Sequence, residues 1–164
     1  MPVIGQQWKM CLFLAVVSRM TAQDRHAPAC LPEQIQTSQD AGLAAGSIFV
    51  KLELRNVSDR ACSVTGAPRI VALMADHARK SATVHWPVDA GDVHNGQKSA
   101  VLPAGGRALL VIHTLDSTGF PDSQACAVTL RLYLPHSTGD RPVATVSAQS
   151  CKEIEVSGYQ PLVR

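Results

Sequence analysis

Ile48, Val50, Leu52 and Leu54 occupy every second position after Gly46, with Ser47, Lys51, Glu53 and Arg55 on the alternate ones. That period of two belongs to a strand with one face on a core and the other in water, whereas a helix would scatter the same side chains around its axis. Phe49 is the one large apolar residue on the outer face. Asn56-Val-Ser-Asp59 follows, with short polar side chains able to bond their own backbone and turn the chain. Cys62 comes next as a disulfide anchor, and Gly66-Ala-Pro68 makes another turn. From Gly46 to Leu73 the chain reads as strand, turn, strand, turn, strand.

The rest repeats this grammar. Arg69 to Ala75 and Ser81 to Val88 read as strands, the second ending at Trp86-Pro87. Asp89 to Gln97 is loop, with Asn95-Gly96 favouring a tight turn. Lys98 to Leu102 is a short strand ended by Pro103-Ala-Gly-Gly106, and Arg107 to Thr114 is apolar on both faces in its middle, as expected for the centre of a sheet. After a loop from Ser117 to Ala125, Val128, Leu130, Leu132 and Leu134 alternate with Thr129, Arg131 and Tyr133 until Pro135. Ser137 to Asp140 turns the chain, Val143 to Ala148 returns, and Lys152 to Ser157 closes the fold with Ile154 and Val156 on one face and Glu153 and Glu155 on the other. About eight to ten short strands with frequent turn signals predict an all-β, antiparallel two-sheet sandwich. An irregular helix in Pro32 to Gly46, where Gln34, Ala41, Ala44 and Ala45 are permissive, would not disturb this reading.

The first 22 residues stand apart. Met1 to Lys9 carries one positive charge, and Met10 to Val17 is an uninterrupted apolar run of eight. This is the outline of a secretory signal peptide over 1–22, with cleavage after Ser18 or Ala22, and the run is too short to span a bilayer. An amphipathic or buried N-terminal helix is the competing reading. Lipid attachment at Cys30 is disfavoured by the neighbouring Pro28 and by the early end of the apolar run. Residues 23–164 make one domain, since 164 residues fill one core and would be cramped as two. Lys9 and Arg19 leave with the leader, so the remaining basic residues, 15 minus 2, equal the 13 acids. A net charge of zero gives no basic face for nucleic acid.

With Cys11 inside the leader, Cys30, Cys62, Cys126 and Cys151 remain, an even count suited to an oxidising compartment. Three pairings are possible; Cys30–Cys62 and Cys126–Cys151 need the least topology, and each closed loop would stabilise the fold by about 3.5 kcal/mol. No Cys-x-x-Cys pair is present, and the gaps match no zinc spacing.

Several separated motifs resemble one family. Leu54-Arg-Asn-Val-Ser-Asp-Arg-Ala-Cys-Ser-Val-Thr-Gly-Ala-Pro68, then Val101-Leu-Pro-Ala-Gly-Gly-Arg-Ala108, then Cys126 leading into Leu130-Arg-Leu-Tyr-Leu-Pro135, and finally Cys151 look like the secreted bacterial domain-of-unknown-function family 4232. Cys30 is similar to the cysteine near which its members begin, and the resemblance spans 30–163. Pro103-Ala-Gly-Gly106 is one residue longer than the family's Pro-Gly pair. The resemblance implies an immunoglobulin-like sandwich outside the cytoplasm and carries over no catalytic residue.

His77, His85 and His94 lie near Asp76, Asp89 and Asp92, and neutral imidazoles with carboxylates behind them are a metal-ligand chemistry. Their spacings place them on no common helical face, and loop histidines are ordinary surface residues. A hydrolase would need a serine with His113 and Asp116, but no Gly-x-Ser-x-Gly elbow exists. Gly105-Gly106 lacks the lysine and helix of a phosphate loop. Asn56-Val-Ser58 matches a glycosylation acceptor but is better read as turn capping. Phe49 and Trp86 are candidates for an exposed contact patch, although a core could equally claim Trp86. The expectation is therefore a secreted or periplasmic, non-enzymatic domain without cofactor, binding an unidentified protein or cell-envelope ligand. The alternative is a periplasmic metal-binding module using His77, His85 and His94.

Overall fold

The computed structural model describes residues 27–44, 47–74, 78–90, 93, 96–115, 127–150 and 154–163. Twelve strands run through them: β1 (Ile35–Ala44), β2 (Ser47–Asn56), β3 (Cys62–Thr65), β4 (Arg69–Met74), β5 (Arg79–Ser81), β6 (Val84–His85), β7 (Ser99–Leu102), β8 (Arg107–Leu115), β9 (Ala127–Tyr133), β10 (Ala144–Ser150), β11 (Ile154–Val156) and β12 (Gln160–Leu162). One sheet has the order β1-β2-β8-β11-β6 with β12 also on β8; a second is β10-β9-β4-β5; β3 pairs with β7. All pairings are antiparallel except β11 with β6, which is parallel.

The alternation in β2 becomes burial. Val50, Leu52 and Leu54 are at most 1% exposed and share one apolar cluster with Ala108, Leu110 and Ile112 of β8, Ile70 of β4, Leu130 and Leu132 of β9, and Val146 of β10. Removing each large side chain of that set from water contributes about 1.5–3 kcal/mol. The doubly apolar middle of β8 also has its explanation. Inward residues meet this cluster, while Val111 points outward and is covered by Ala90, Val93, Phe49 and Leu109.

Three expectations need correction. Over the described residues 32–44 the chain is not an irregular helix: a 3₁₀ turn at Pro32–Gln34 leads straight into β1, which pairs with β2 from Ile35–Asn56 to Ala44–Ser47 without a register shift. Among residues 35–42 of β1 only Ile35 is buried, so this stretch is held by its ladder with β2 and carries almost no apolar alternation to read. Ser81 to Val88 is divided, with β5 in one sheet and β6 in the other. The chain also does not close at Ser157, because β12 adds a strand to β8. The described residues alone therefore hold twelve strands where eight to ten were expected.

Asn56 ends β2 at a junction. It is fully buried, and its Nδ2 donates to the carbonyls of Arg60 (2.7 Å), Leu102 (2.9 Å) and Pro103 (3.2 Å). Its Oδ1 accepts from the N–H and hydroxyl of Ser58 at 3.0 and 2.7 Å. Its backbone N–H and carbonyl bond Gly106 and Gly105. The turn between β7 and β8 is closed by Gly106 N–H donating to Pro103 O, with Gly105 at φ 70° in the third position that a type II turn reserves for glycine. Nδ2 is thus wholly committed inside the fold, which rules against glycosylation of the folded chain at Asn56. Replacing Asn56→Asp would set a carboxylate against three carbonyls in the same volume. The expected loss is at least about 3 kcal/mol of unfolding free energy, read from urea midpoints at unchanged slope.

Candidate functional site

A concavity among the described residues lies at the end of the fold where the N-terminal segment is pinned down. Residues 27–30 run beside β3: Cys30 N–H donates to Ser63 O at 2.9 Å, Ser63 N–H to Pro28 O at 2.7 Å, and Ser63 Oγ to Ala27 O at 2.9 Å. Cys30 and Cys62 are joined by a disulfide, with a Cα–Cα distance of 4.8 Å. Cys126 and Cys151 lie outside the described residues, so the Cys126–Cys151 pairing has no structural counterpart here.

This anchored segment forms one wall of a groove of about 400 Å³, and the β9–β10 connection forms the other. Leu31, Pro32 and Glu33 face Pro135, His136, Ser137 and Arg141 across it. Leu31 is 52% exposed, an apolar side chain left in water at the groove. The second wall is a turn from Leu134 to Ser137, closed by Ser137 N–H donating to Leu134 O at 3.1 Å, with His136 at φ 60°. Proline before a positive φ is the pattern of a type II turn, whose third position normally takes glycine. Below the groove a water-sized cavity of about 30 Å³ reaches Val64 and Leu134.

Tyr159 holds this end from inside. Its hydroxyl donates to Gly66 O at 3.0 Å, and a Cβ on Gly66 would lie 3.6 Å from both His136 Nε2 and Pro135 Cβ. Tyr159 is 1% exposed and tilted against Trp86 at 6.3 Å between ring centroids. Burial pushes its phenol well above the ordinary 10.0.

The residues singled out from sequence are distributed differently. His85 is exposed on β6, in register with Glu155. His77 and His94, with Asp76 and Asp92, lie outside the described residues, and among the described residues no three histidine, cysteine or acidic side chains assemble for a metal ion. His113 stacks on Phe49, with ring centroids 4.4 Å apart, and its Nδ1 lies 2.6 Å from Glu155 Oε2. The carboxylate can only accept, so Nδ1 carries the proton when the ring is neutral and Nε2 is left as a buried lone pair. Asp116 lies outside the described residues. Ser157, the buried hydroxyl just after β11, accepts from Val111 N–H and donates to Gly158 O. Its bonding capacity is spent on the backbone. Phe49 and Trp86 form no exposed patch, since Phe49 packs on the outer cluster and Trp86 on the main core.

Sequence reasoning missed the groove because it took Pro135 as a strand stop and began the turn at Ser137. The available signal was Pro135-His136 itself, a turn pair immediately after the alternating strand.

The fold and this end together define a disulfide-stapled, all-β domain with a loop-built groove. The family described as Domain of unknown function (DUF4232) matches residues 30–161, and the chain belongs to that family. No curated protein and no solved structure matches it.

Two outcomes follow from this geometry. The raised Tyr159 value means that between 10 and the folded value the native state keeps a proton that the unfolded state has lost. Its contribution is present in full below pH 10 and is lost as pH rises above it, by about 1.4 kcal/mol per pH unit. Tyr159→Phe should flatten that decline in denaturant titrations from pH 9 to 11.5, at a cost near neutrality of about 1 kcal/mol from the lost hydrogen bond. His136→Gly relieves about 1–2 kcal/mol of left-handed strain against about 0.5–1 kcal/mol of added unfolded-state entropy. A small gain in stability is expected, visible as a raised Tm.

Proposed function

We propose that this protein is an exported, non-enzymatic binding module of the periplasm or cell envelope, an immunoglobulin-like sandwich that recognises a protein or envelope ligand through the groove between Leu31–Glu33 and Pro135–Arg141. The observation that carries the reading is the Cys30–Cys62 disulfide at the wall of that groove. Such a bond persists in an oxidising compartment, and it closes a 32-residue separation at the place where a contact loop needs a rigid base. The apolar leader over Met10 to Val17 supports the same compartment.

The groove suits recognition. Its volume lies within the range of ligand sites, about 300–1,000 Å³, and it combines exposed Leu31 and two prolines with Glu33 on one wall and Arg141 on the other. A partner presenting an apolar group between complementary charges fits those walls. His136 at positive φ is consistent with a turn shaped for contact at some cost in stability.

Intact mass measured on protein from its native compartment, with free thiols alkylated before unfolding, tests the export half. The expected chain lacks its first 18 or 22 residues and leaves Cys30 and Cys62 unalkylated. A full-length chain with both thiols reactive would remove the basis for the proposal. For the binding half, a photoreactive residue at position 137 should capture a cell-envelope component in intact cells, and Arg141→Glu should abolish that capture. The same probe at Thr145, exposed on β10, should capture nothing.

A further inference from the structure

We infer that the outer edge of β1 is a pairing surface for a second copy of this chain, joining two six-stranded sheets into one across a twofold axis near Ser38. The direction of its backbone groups follows from the ladder. Asn56 bonds Gly105 and Gly106 beside β8, so by the two-residue period Leu54, Leu52 and Val50 also bond towards β8. Arg55, Glu53, Lys51 and Phe49 therefore bond towards β1, where their partners are Gln36, Ser38, Asp40 and Gly42. The N–H and carbonyl groups of Thr37, Gln39 and Ala41 point away from β2. Among the described residues no strand pairs with them, since β1 ends the sheet order.

Other edges are short or interrupted. β6 has two residues, β5 has three and carries Arg79 and Lys80, β12 contains Pro161, and β10 breaks register between Ser147 and Ser150. Such devices keep an edge from recruiting another chain. β1 has none of them: ten residues, no proline, no lysine or arginine, no register shift, and Asp40 as its single charge.

The sequence of β1 is self-complementary in one register. A twofold axis at Ser38 sets Thr37 opposite Gln39 of the partner subunit, so the outward groups meet as hydrogen-bonded pairs. The same register sets Gln36 opposite Asp40 of the partner subunit, which brings an amide donor to each carboxylate and keeps the two acids apart. An axis at Asp40 would instead oppose the acids directly. A lone acid on this edge gives a basic peptide only one charge to recognise, whereas a second copy satisfies both ends of the strand. The surface is separate from the groove at Leu31 and Arg141.

Sedimentation velocity on the mature, oxidised protein over a range of concentrations tests the inference. A monomer–dimer equilibrium is expected, and Gln39→Pro should raise its Kd at least about tenfold, because proline deletes an outward N–H and leaves the β1–β2 ladder intact. Ser38→Cys does not depend on how well that variant folds. Its thiol would meet its symmetry mate at about 4.5 Å between Cα atoms and should form a covalent dimer under mild oxidation, whereas Thr145→Cys should not. Arg141→Glu should leave the dimer unchanged. A protein that stays monomeric with Ser38→Cys unlinked, a dimer indifferent to Gln39→Pro, or a β1 edge filled only by a different protein would each overturn the inference.

Discussion

Asn56 is the side chain through which three otherwise separate segments are fixed to one another. It is the last residue of β2, it holds the following turn through Ser58 and Arg60, and it reaches the β7–β8 turn at Leu102 and Pro103. Only an amide serves here. The site offers carbonyls to one end of the side chain and donors to the other, so a carboxylate would repel the first set and an aliphatic residue would leave both unpaired. Because β2 and β8 are neighbours in the larger sheet, anchoring the turn before β8 also sets the pairing of Arg55 with Arg107, from which the remaining β2–β8 register follows.

A second constraint is steric. Gly96 and Gly158 cross beside the bridge in which Gln97 and Tyr159 exchange hydrogen bonds of 2.9 and 2.8 Å. A Cβ on Gly96 would come within 2.5 Å of the Gly158 carbonyl, and a Cβ on Gly158 would strike the Gly96 backbone. Two side-chain-free residues therefore let the loop after β6 lie against the turn after β11. This contact delivers Tyr159 into the core, where its hydroxyl bonds Gly66 under the groove. The groove's shape thus depends on a backbone crossing remote from it in sequence.

Strands with a strong apolar rhythm were legible from the amino-acid sequence. β2, β9 and β11 expose in their residue order the faces that the fold buries, and β8 shows its central position by being apolar on both sides. Belonging to the family was legible too, because its motifs are turn residues with fixed chemistry. β1 was not legible: Gln36, Thr37, Ser38, Gln39 and Asp40 form a strand because β2 offers them a ladder, a tertiary cause that a local pattern does not contain. β5 and β6 are too short to show any period, and they separate into different sheets. At the site, histidines carry recognisable chemistry in the sequence, while the groove is made of prolines, a leucine and a turn whose significance lies in their meeting across the fold.

The outer row of the larger sheet explains why a half-buried histidine need not mark a reaction centre. Phe49, His113 and Glu155 occupy opposed positions on β2, β8 and β11, so strand register alone brings the ring onto Phe49 and Nδ1 to the carboxylate. The same row continues to His85 on β6. The ring is held by the stacked Phe49 on one side and by the Glu155 carboxylate at Nδ1, while its buried Nε2 has no hydrogen-bond partner. The pair accordingly serves to cover one face of β8 with a side chain that is both flat and hydrogen-bonded. On that face Val111 is completely buried, and a purely aliphatic row in place of Phe49, His113 and Glu155 would extend an apolar surface towards the solvent side of the sheet.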